Sequence, residues 1–167
     1  MIVVAIGSNL PAPGCTSPAA TCAAALSALQ RADIRIIAQS RWYESAPVPW
    51  SDQPNFINGV AAVETQSPPS ELLAALHRIE AAFGRVRHAR NEARVLDLDL
   101  VAYHDLVRAG HPGPILPHPR MHERAFVLLP LADIAPDWVH PVSGRSVGEL
   151  IAALPPGQVC APLPQGG

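Results

Sequence analysis

An α+β sandwich, an antiparallel sheet with helices packed on one face, is the fold this sequence predicts, and three observations predict it. Apolar or alternating runs at residues 2–6, 34–43, 55–64 and 94–103 read as strands. Residues 17–30 and 67–83 keep helical spacing, and each segment opens on a Ser-Pro pair. The two kinds follow one another as β-α-β-β-α-β, the order of the ferredoxin-like sandwich.

Each element has its own reason. Ile2 to Ile6 is a short apolar run ended by the turn cluster Gly7-Ser8-Asn9, as in a buried strand. Ser17 is the N-cap and Pro18 the N1 residue of an alanine-rich helix to about Gln30. A second strand spans residues 34–43. Pro47, Pro49 and Pro54 exclude regular structure from the segment after it, and residues 55–64 form a third strand. In the second helix Leu72, Leu73, Leu76, Ile79 and Phe83 keep the apolar spacing, and Gly84 stops it. A fourth strand at 94–103 leads into a Pro/Gly/His-rich loop (111–119) and a mixed segment to Leu131. Ser146 and Glu149 make a capping box for a short last helix to about Leu154. The expected organisation is one domain over 1–154 with a loose Pro/Gly-rich tail from 155 to 167.

The 167 residues are 49% hydrophobic and 16% charged, which excludes global disorder. A net charge of −2 gives no basic field for nucleic acid, and no apolar run is long enough to cross a membrane. Every one of the 12 basic residues is arginine, a compositional bias rather than a functional signal. Cys15, Cys22 and Cys160 have no CxxC spacing, so neither a disulfide framework nor a zinc site is expected. The chain reads as soluble and cytoplasmic, and a monomer is expected.

The stretch RVLDLDLVAY, residues 94–103, carries the chemistry. Strict alternation places Leu96, Leu98 and Leu100 on one face and Asp97 and Asp99 on the other, the carboxylates about 6.5–7 Å apart along the strand. Aspartate is depleted in strands, and like charges repel. Two of them at i and i+2 point to a hard divalent cation, magnesium above all, held together with phosphate. Just upstream, Arg85, Arg87, Arg90 and Arg94 fall within eleven residues. Planar guanidinium donors suit phosphate oxygens, so cluster and carboxylates together resemble half of a phosphoryl-transfer site. With four like charges and little apolar anchorage, residues 85–94 are expected to form a lid ordered by phosphate.

Other signals are weaker singly. Asn58 follows Phe56 by two residues on the third strand and offers the donors and acceptor that match a heterocycle's amide-like edge. Phe126 could be a second stacking wall, although core packing explains either aromatic alone. Glu80 borders the second helix's buried face and reads as a helix-edge glutamate reaching outward. His118 sits in the Pro-bracketed LPHPR loop. The Gly7-Ser8-Asn9 turn is too short to cradle phosphate, and no P-loop or Rossmann fingerprint exists.

As a set, AIGSNL (5–10), QPNFIN (53–58), RIE (78–80), GRVR (84–87), RVLDLDL (94–100), LPHPRM (116–121) and RAFVLLPL (124–131) resemble the 6-hydroxymethyl-7,8-dihydropterin pyrophosphokinase family. The resemblance runs in order from Ile2 to Leu154. It implies the ferredoxin-like fold and transfer of pyrophosphate from ATP to the pterin hydroxymethyl, releasing AMP, with two magnesium ions, in folate synthesis. It implies that Asp97 and Asp99 hold the metals and that Arg85 and Arg94 clamp ATP phosphates. Glu80, His118 and Arg124 match nucleotide-site positions. Asn58 matches the residue that reads the pterin edge, Phe56 and Phe126 its stacking walls, and Ser45 and Val48 its neighbours. Two departures stand out: Asn91-Glu92-Ala93 replaces the Trp-Gly-Pro many members carry, and Pro119 stands where some have Tyr. The alternative is a pterin- or nucleotide-binding module of the same fold without transfer activity.

Overall fold

The structure, a computed structural model, describes residues 1–85 and 93–165. Strands β1 (Ile2–Ser8), β2 (Arg35–Gln39), β3 (Tyr43–Ser45), β4 (Phe56–Glu64), β5 (Asp97–Tyr103) and β8 (Cys160–Pro162) build the main sheet. Helices α1 (Pro18–Arg31), α2 (Pro69–Ala82), α3 (Ala125–Ile134) and α4 (Val147–Ala152) pack on it, and β6 (Arg108–Ala109) pairs with β7 (Ile115–Leu116) in a small hairpin. The order β5-β1-β4-β3-β8, with β2 on the far half of β4, is antiparallel at every pairing. The α+β sandwich is therefore the fold.

Local signals account for the element ends. The Ser17 hydroxyl accepts the Ala20 N–H at 3.1 Å, capping α1. Gly84 takes a φ of +94° just past α2, where a side chain would be strained. Ser146 supplies its half of the expected box, its Oγ accepting the Glu149 N–H at 3.1 Å.

The sheet is covered on both faces, a correction to the expected single helical layer. Val4, Ile6, Ile57, Leu98 and Leu100 pack under α1 and α2 with Leu29, Leu72 and Leu76. The opposite face, with Val3, Val60 and Val101, is covered at one end by α3 and α4 through Val127, Leu128, Leu131 and Leu150. The α3 segment reads as mixed in the sequence because it is apolar nearly throughout and carries Pro130, so no helical stripe marks it.

Two further expectations change. The second strand breaks into β2 and β3. At the break the Ser40 hydroxyl accepts the Val60 N–H at 2.9 Å, a side chain standing in for the ladder. Trp42 lies across Gly59, where an added Cβ would sit 2.6 Å from the indole. Within the segment expected to be a loose tail, β8 pairs with β3, Ser45 opposite Cys160, extending the sheet by one strand. Unpaired N–H and C=O groups along β3 are the physical reason, since an open strand edge accepts another strand.

Candidate active site

Cross-strand register assembles the site. Gly7 on β1, which is paired on both sides, stands opposite Asn58 of β4 and, on its other side, opposite Asp97 of β5. These residues share the face away from α1 and α2, the one α3 covers only in part. Gly7 leaves room there for the Asn58 carboxamide: an added Cβ would lie 2.9 Å from Oδ1, so any other residue would have to displace that side chain. Over this rung opens a cleft of about 460 Å³, the size of a small-ligand site.

The expected ring-binding residues line that cleft together: Ser45, Val48, Phe56, Asn58 and Phe126. Asn58 and Ser45 are both buried, and Asn58 Nδ2 donates to Ser45 Oγ at 2.6 Å. That bond orients the carboxamide and leaves Oδ1 above Gly7. Phe126, in the first turn of α3, lies under the Arg124 guanidinium, whose carbon is 5.5 Å from the ring centroid.

Arg94, Asp97 and Arg124 line the polar side of the same cleft. Asp97 is bridged by two arginines, Arg85 Nη1 donating to Oδ1 at 2.6 Å and Arg94 Nη1 to Oδ2 at 2.8 Å. Burial opposes ionisation, but the Arg94 and Arg85 charges hold its carboxyl below the ordinary aspartate range. Asp99 differs: among the described residues no hydrogen bond or ion pair holds its carboxylate. Burial first, and the Asp97 charge second, push it up to about 7. Two carboxylates on one strand face, one of them raised by the other, are suited to a cation between them. Among the described residues no third His, Cys, Asp or Glu joins them.

Glu80 is not an outward-reaching helix residue. It is 2% exposed, pairs with Arg85, and accepts the Leu98 N–H through Oε2 at 2.9 Å. Because β5 is the sheet's edge strand, a buried carboxylate fills an acceptor place that a neighbouring strand would otherwise fill. It also holds Arg85 against Asp97. His118 is half-buried, and its Nδ1 accepts the Arg120 N–H at 3.1 Å, so Nε2 carries the proton of the neutral ring. Burial, helped by Arg124, drives its pKa down to about 4.

Sequence reasoning missed several parts. Asn9, read only as a turn residue, is buried and ties two loops: its Oδ1 accepts the Arg94 N–H at 2.7 Å, and its Nδ2 donates to Pro54 O at 3.1 Å and Gln53 Oε1 at 3.2 Å. Trp50, 81% exposed, stands at the cleft, as do Arg120 and the 155–159 segment. Asn9 was legible as the last residue of a turn cluster, but nothing local marks the contribution of 155–159. The lid expected over residues 85–94 lies, from 86 to 92, outside the described residues.

Two carboxylates on one strand face, arginines beside them and a cleft with aromatic walls on an antiparallel sheet suit a ligand that carries both phosphate and a flat ring. A family model described as 7,8-dihydro-6-hydroxymethylpterin-pyrophosphokinase matches residues 3–136, and the chain belongs to that family. It is similar to the 2-amino-4-hydroxy-6-hydroxymethyldihydropteridine pyrophosphokinase of Pseudomonas aeruginosa, 44% identical over 155 residues, covering 92% of this chain and 91% of that protein. The Haemophilus influenzae protein of the same name is 40% identical over 149 residues, 89% of each chain. The match to folic acid synthesis protein fol1 of Schizosaccharomyces pombe, 40% identical, covers 78% of this chain but only 18% of that longer protein. In fold the chain is similar to wild-type Plasmodium falciparum HPPK-DHPS, with a TM-score of 0.67 at 14% identity over 91% of this chain and 44% of that one.

Proposed function

We propose that the chain transfers pyrophosphate from ATP to 6-hydroxymethyl-7,8-dihydropterin, giving the pterin diphosphate and AMP, a step in folate biosynthesis. The observation that carries this reading is the rung Asn58–Gly7–Asp97, which sets an amide-reading side chain and a charged carboxylate side by side on the floor of one cleft. A heterocycle and a polyphosphate bound there would meet end to end.

Asn58, with Ser45 behind it, reads the amide-like edge of the pterin, Phe56 and Phe126 flank the ring, and Val48 contacts it from the proline-rich loop. Arg85, Arg94 and Arg124 take the phosphates. His118 donates through Nε2–H, and Glu80 acts by holding Arg85. Asp97 and Asp99 fit two magnesium ions, and bound metal would draw charge from the transferring group. The two carboxylates are too few to cage a metal alone, so phosphate oxygens and water complete the ligand set.

Asp97 is paired with both Arg85 and Arg94. Phosphate oxygens would compete for the same guanidinium donors, so the two arginines can serve the carboxylate and the phosphates alike. The chain's remaining contribution is alignment: ring walls and phosphate clamp fix the pterin hydroxyl in line with the β-phosphorus. No covalent intermediate on the protein is needed.

The protein acts as a cytoplasmic monomer on small molecules, without nucleic acid or membrane. Among the described residues no helix is long and apolar enough to cross a membrane. AMP formation should require both ATP and the hydroxymethyl-dihydropterin. AMP from ATP alone, or none with both present, would remove the assignment, the latter leaving only a binding module.

A further inference from the structure

The first turn of α3 carries two of the site's candidates, Arg124 and Phe126, yet the helix opens without a side-chain cap of its own: Arg124, at the cap position, makes no such bond. The first N–H groups of a helix have no intrahelical acceptor and must find one elsewhere. Here the partner comes from beyond the last helix. Gln158 Oε1 accepts the Ala125 N–H at 2.9 Å, while Gln158 Nε2 donates to the Glu123 carbonyl at 2.8 Å. One carboxamide therefore clamps the backbone on both sides of Arg124. The backbone directly after it is anchored in turn: Ala46 N–H donates to Val159 O at 3.1 Å, and Ser45 pairs with Cys160 across β3 and β8. Gln158 is also one of the residues that line the cleft.

From this geometry we propose that Gln158 is a positioning residue, which ties the strand end at Ser45 to the start of α3 and so sets Arg124 and Phe126 against the same cleft. The inference rests on the proposed function, because it takes Arg124 as a phosphate ligand and Phe126 as a ring wall. Both polar ends of the side chain are needed. Glutamate would keep the acceptor for Ala125 but present oxygen, not N–H, to the Glu123 carbonyl. Methionine would keep the length and lose both bonds. The consequence is that residues 155–162, beyond the matched family region that ends at 136, are part of the working site.

The test uses the full chain with Gln158→Met, Gln158→Glu and, as a control of equal kind, Ser17→Ala, which removes the cap of α1, a residue that does not line the cleft. Binding of ATP with magnesium and of the pterin is followed by calorimetry, with KM, kcat and the thermal midpoint alongside. Gln158→Met should weaken both ligands about fivefold to tenfold, the equivalent of one lost cap. KM should rise for both substrates with kcat less affected, and Gln158→Glu should show a smaller loss of the same pattern. Ser17→Ala should lower the midpoint while leaving both affinities unchanged. If Gln158→Met behaves like Ser17→Ala, Gln158 is a helix cap and no more, and the proposal is overturned. If Gln158→Met does not fold, the Gln158→Glu affinities decide on the same terms. A wild-type chain that binds ATP but no pterin would instead bring down the functional reading, and this inference with it.

Discussion

Replacing Gly7 by alanine probes the floor of the cleft with a single methyl group. The added carbon would stand 2.9 Å from Asn58 Oδ1, 3.8 Å from the Ile57 carbonyl and 3.9 Å from Asn58 Cγ. Only the first contact is too short, and restoring ordinary separation requires a movement of roughly half an ångström. The strands cannot supply it cheaply, because Gly7 lies in an interior strand, paired on both sides. The Asn58 carboxamide must turn instead. It is 6% exposed, and its Nδ2 is bonded to Ser45 Oγ, itself 3% exposed, so turning weakens a buried bond on both partners. A buried polar group left without its partner costs about 1–3 kcal/mol. For a chain of this size that is a fall in midpoint of roughly 2–12 °C. The functional effect should be selective: pterin affinity should drop about tenfold, as expected when one oriented polar contact is lost. ATP affinity should change by no more than about twofold, because Arg85, Arg94 and Arg124 are not displaced. Thermal unfolding by circular dichroism and calorimetry with each ligand separate the two effects. A Gly7→Ala protein with unchanged midpoint and unchanged pterin binding would refute the reasoning.

Other consequences can be checked in the same assays. Asp97→Asn/Asp99→Asn should abolish the magnesium dependence of ATP binding, and unchanged nucleotide affinity in magnesium would remove the metal assignment. Phe126→Ala should weaken pterin binding about tenfold, with a smaller nucleotide effect through the lost Arg124 contact; equal losses would make Phe126 a packing residue. His118 should titrate near its depressed midpoint of about 4 by NMR. Its folded midpoint is below its unfolded one, so the fold favours the neutral ring: that stability is complete above about pH 6.5 and is lost as the pH falls toward the folded midpoint. A midpoint at or above 6.5 would contradict its burial. Gly148→Ala lies inside α4 with room for a methyl, its nearest neighbour being Ser146 Oγ at 3.9 Å, and should stabilise the chain by about 0.5–1 kcal/mol; a lowered midpoint would show that the space is not there.

What the sequence determined by itself is everything that repeats with a local period or sits at a helix end. The alternation in Leu96-Asp97-Leu98-Asp99-Leu100 is enough to send leucines to one face and aspartates to the other, and they do part in that way. Ser17, Gly84 and Ser146 mark helix ends because capping involves neighbours within about four residues. The residues expected around a ring, Ser45, Val48, Phe56, Asn58 and Phe126, do share a cleft, though the motifs named them without showing how they would meet. Only the tertiary structure decided the rest. That Asn58, Gly7 and Asp97 form one rung is a matter of register between strands about 50 and 90 residues apart in sequence, with no short-range signal. The burial of Glu80 under the edge of β5, the capture of Asp97 by Arg85 and Arg94, and the covering of the second face by α3 all depend on that pairing. So does the use of β8 and Gln158: a Pro/Gly-rich tail has no periodicity to read, and becomes ordered only because the unpaired edge of β3 and the uncapped start of α3 offer its backbone and one carboxamide their partners.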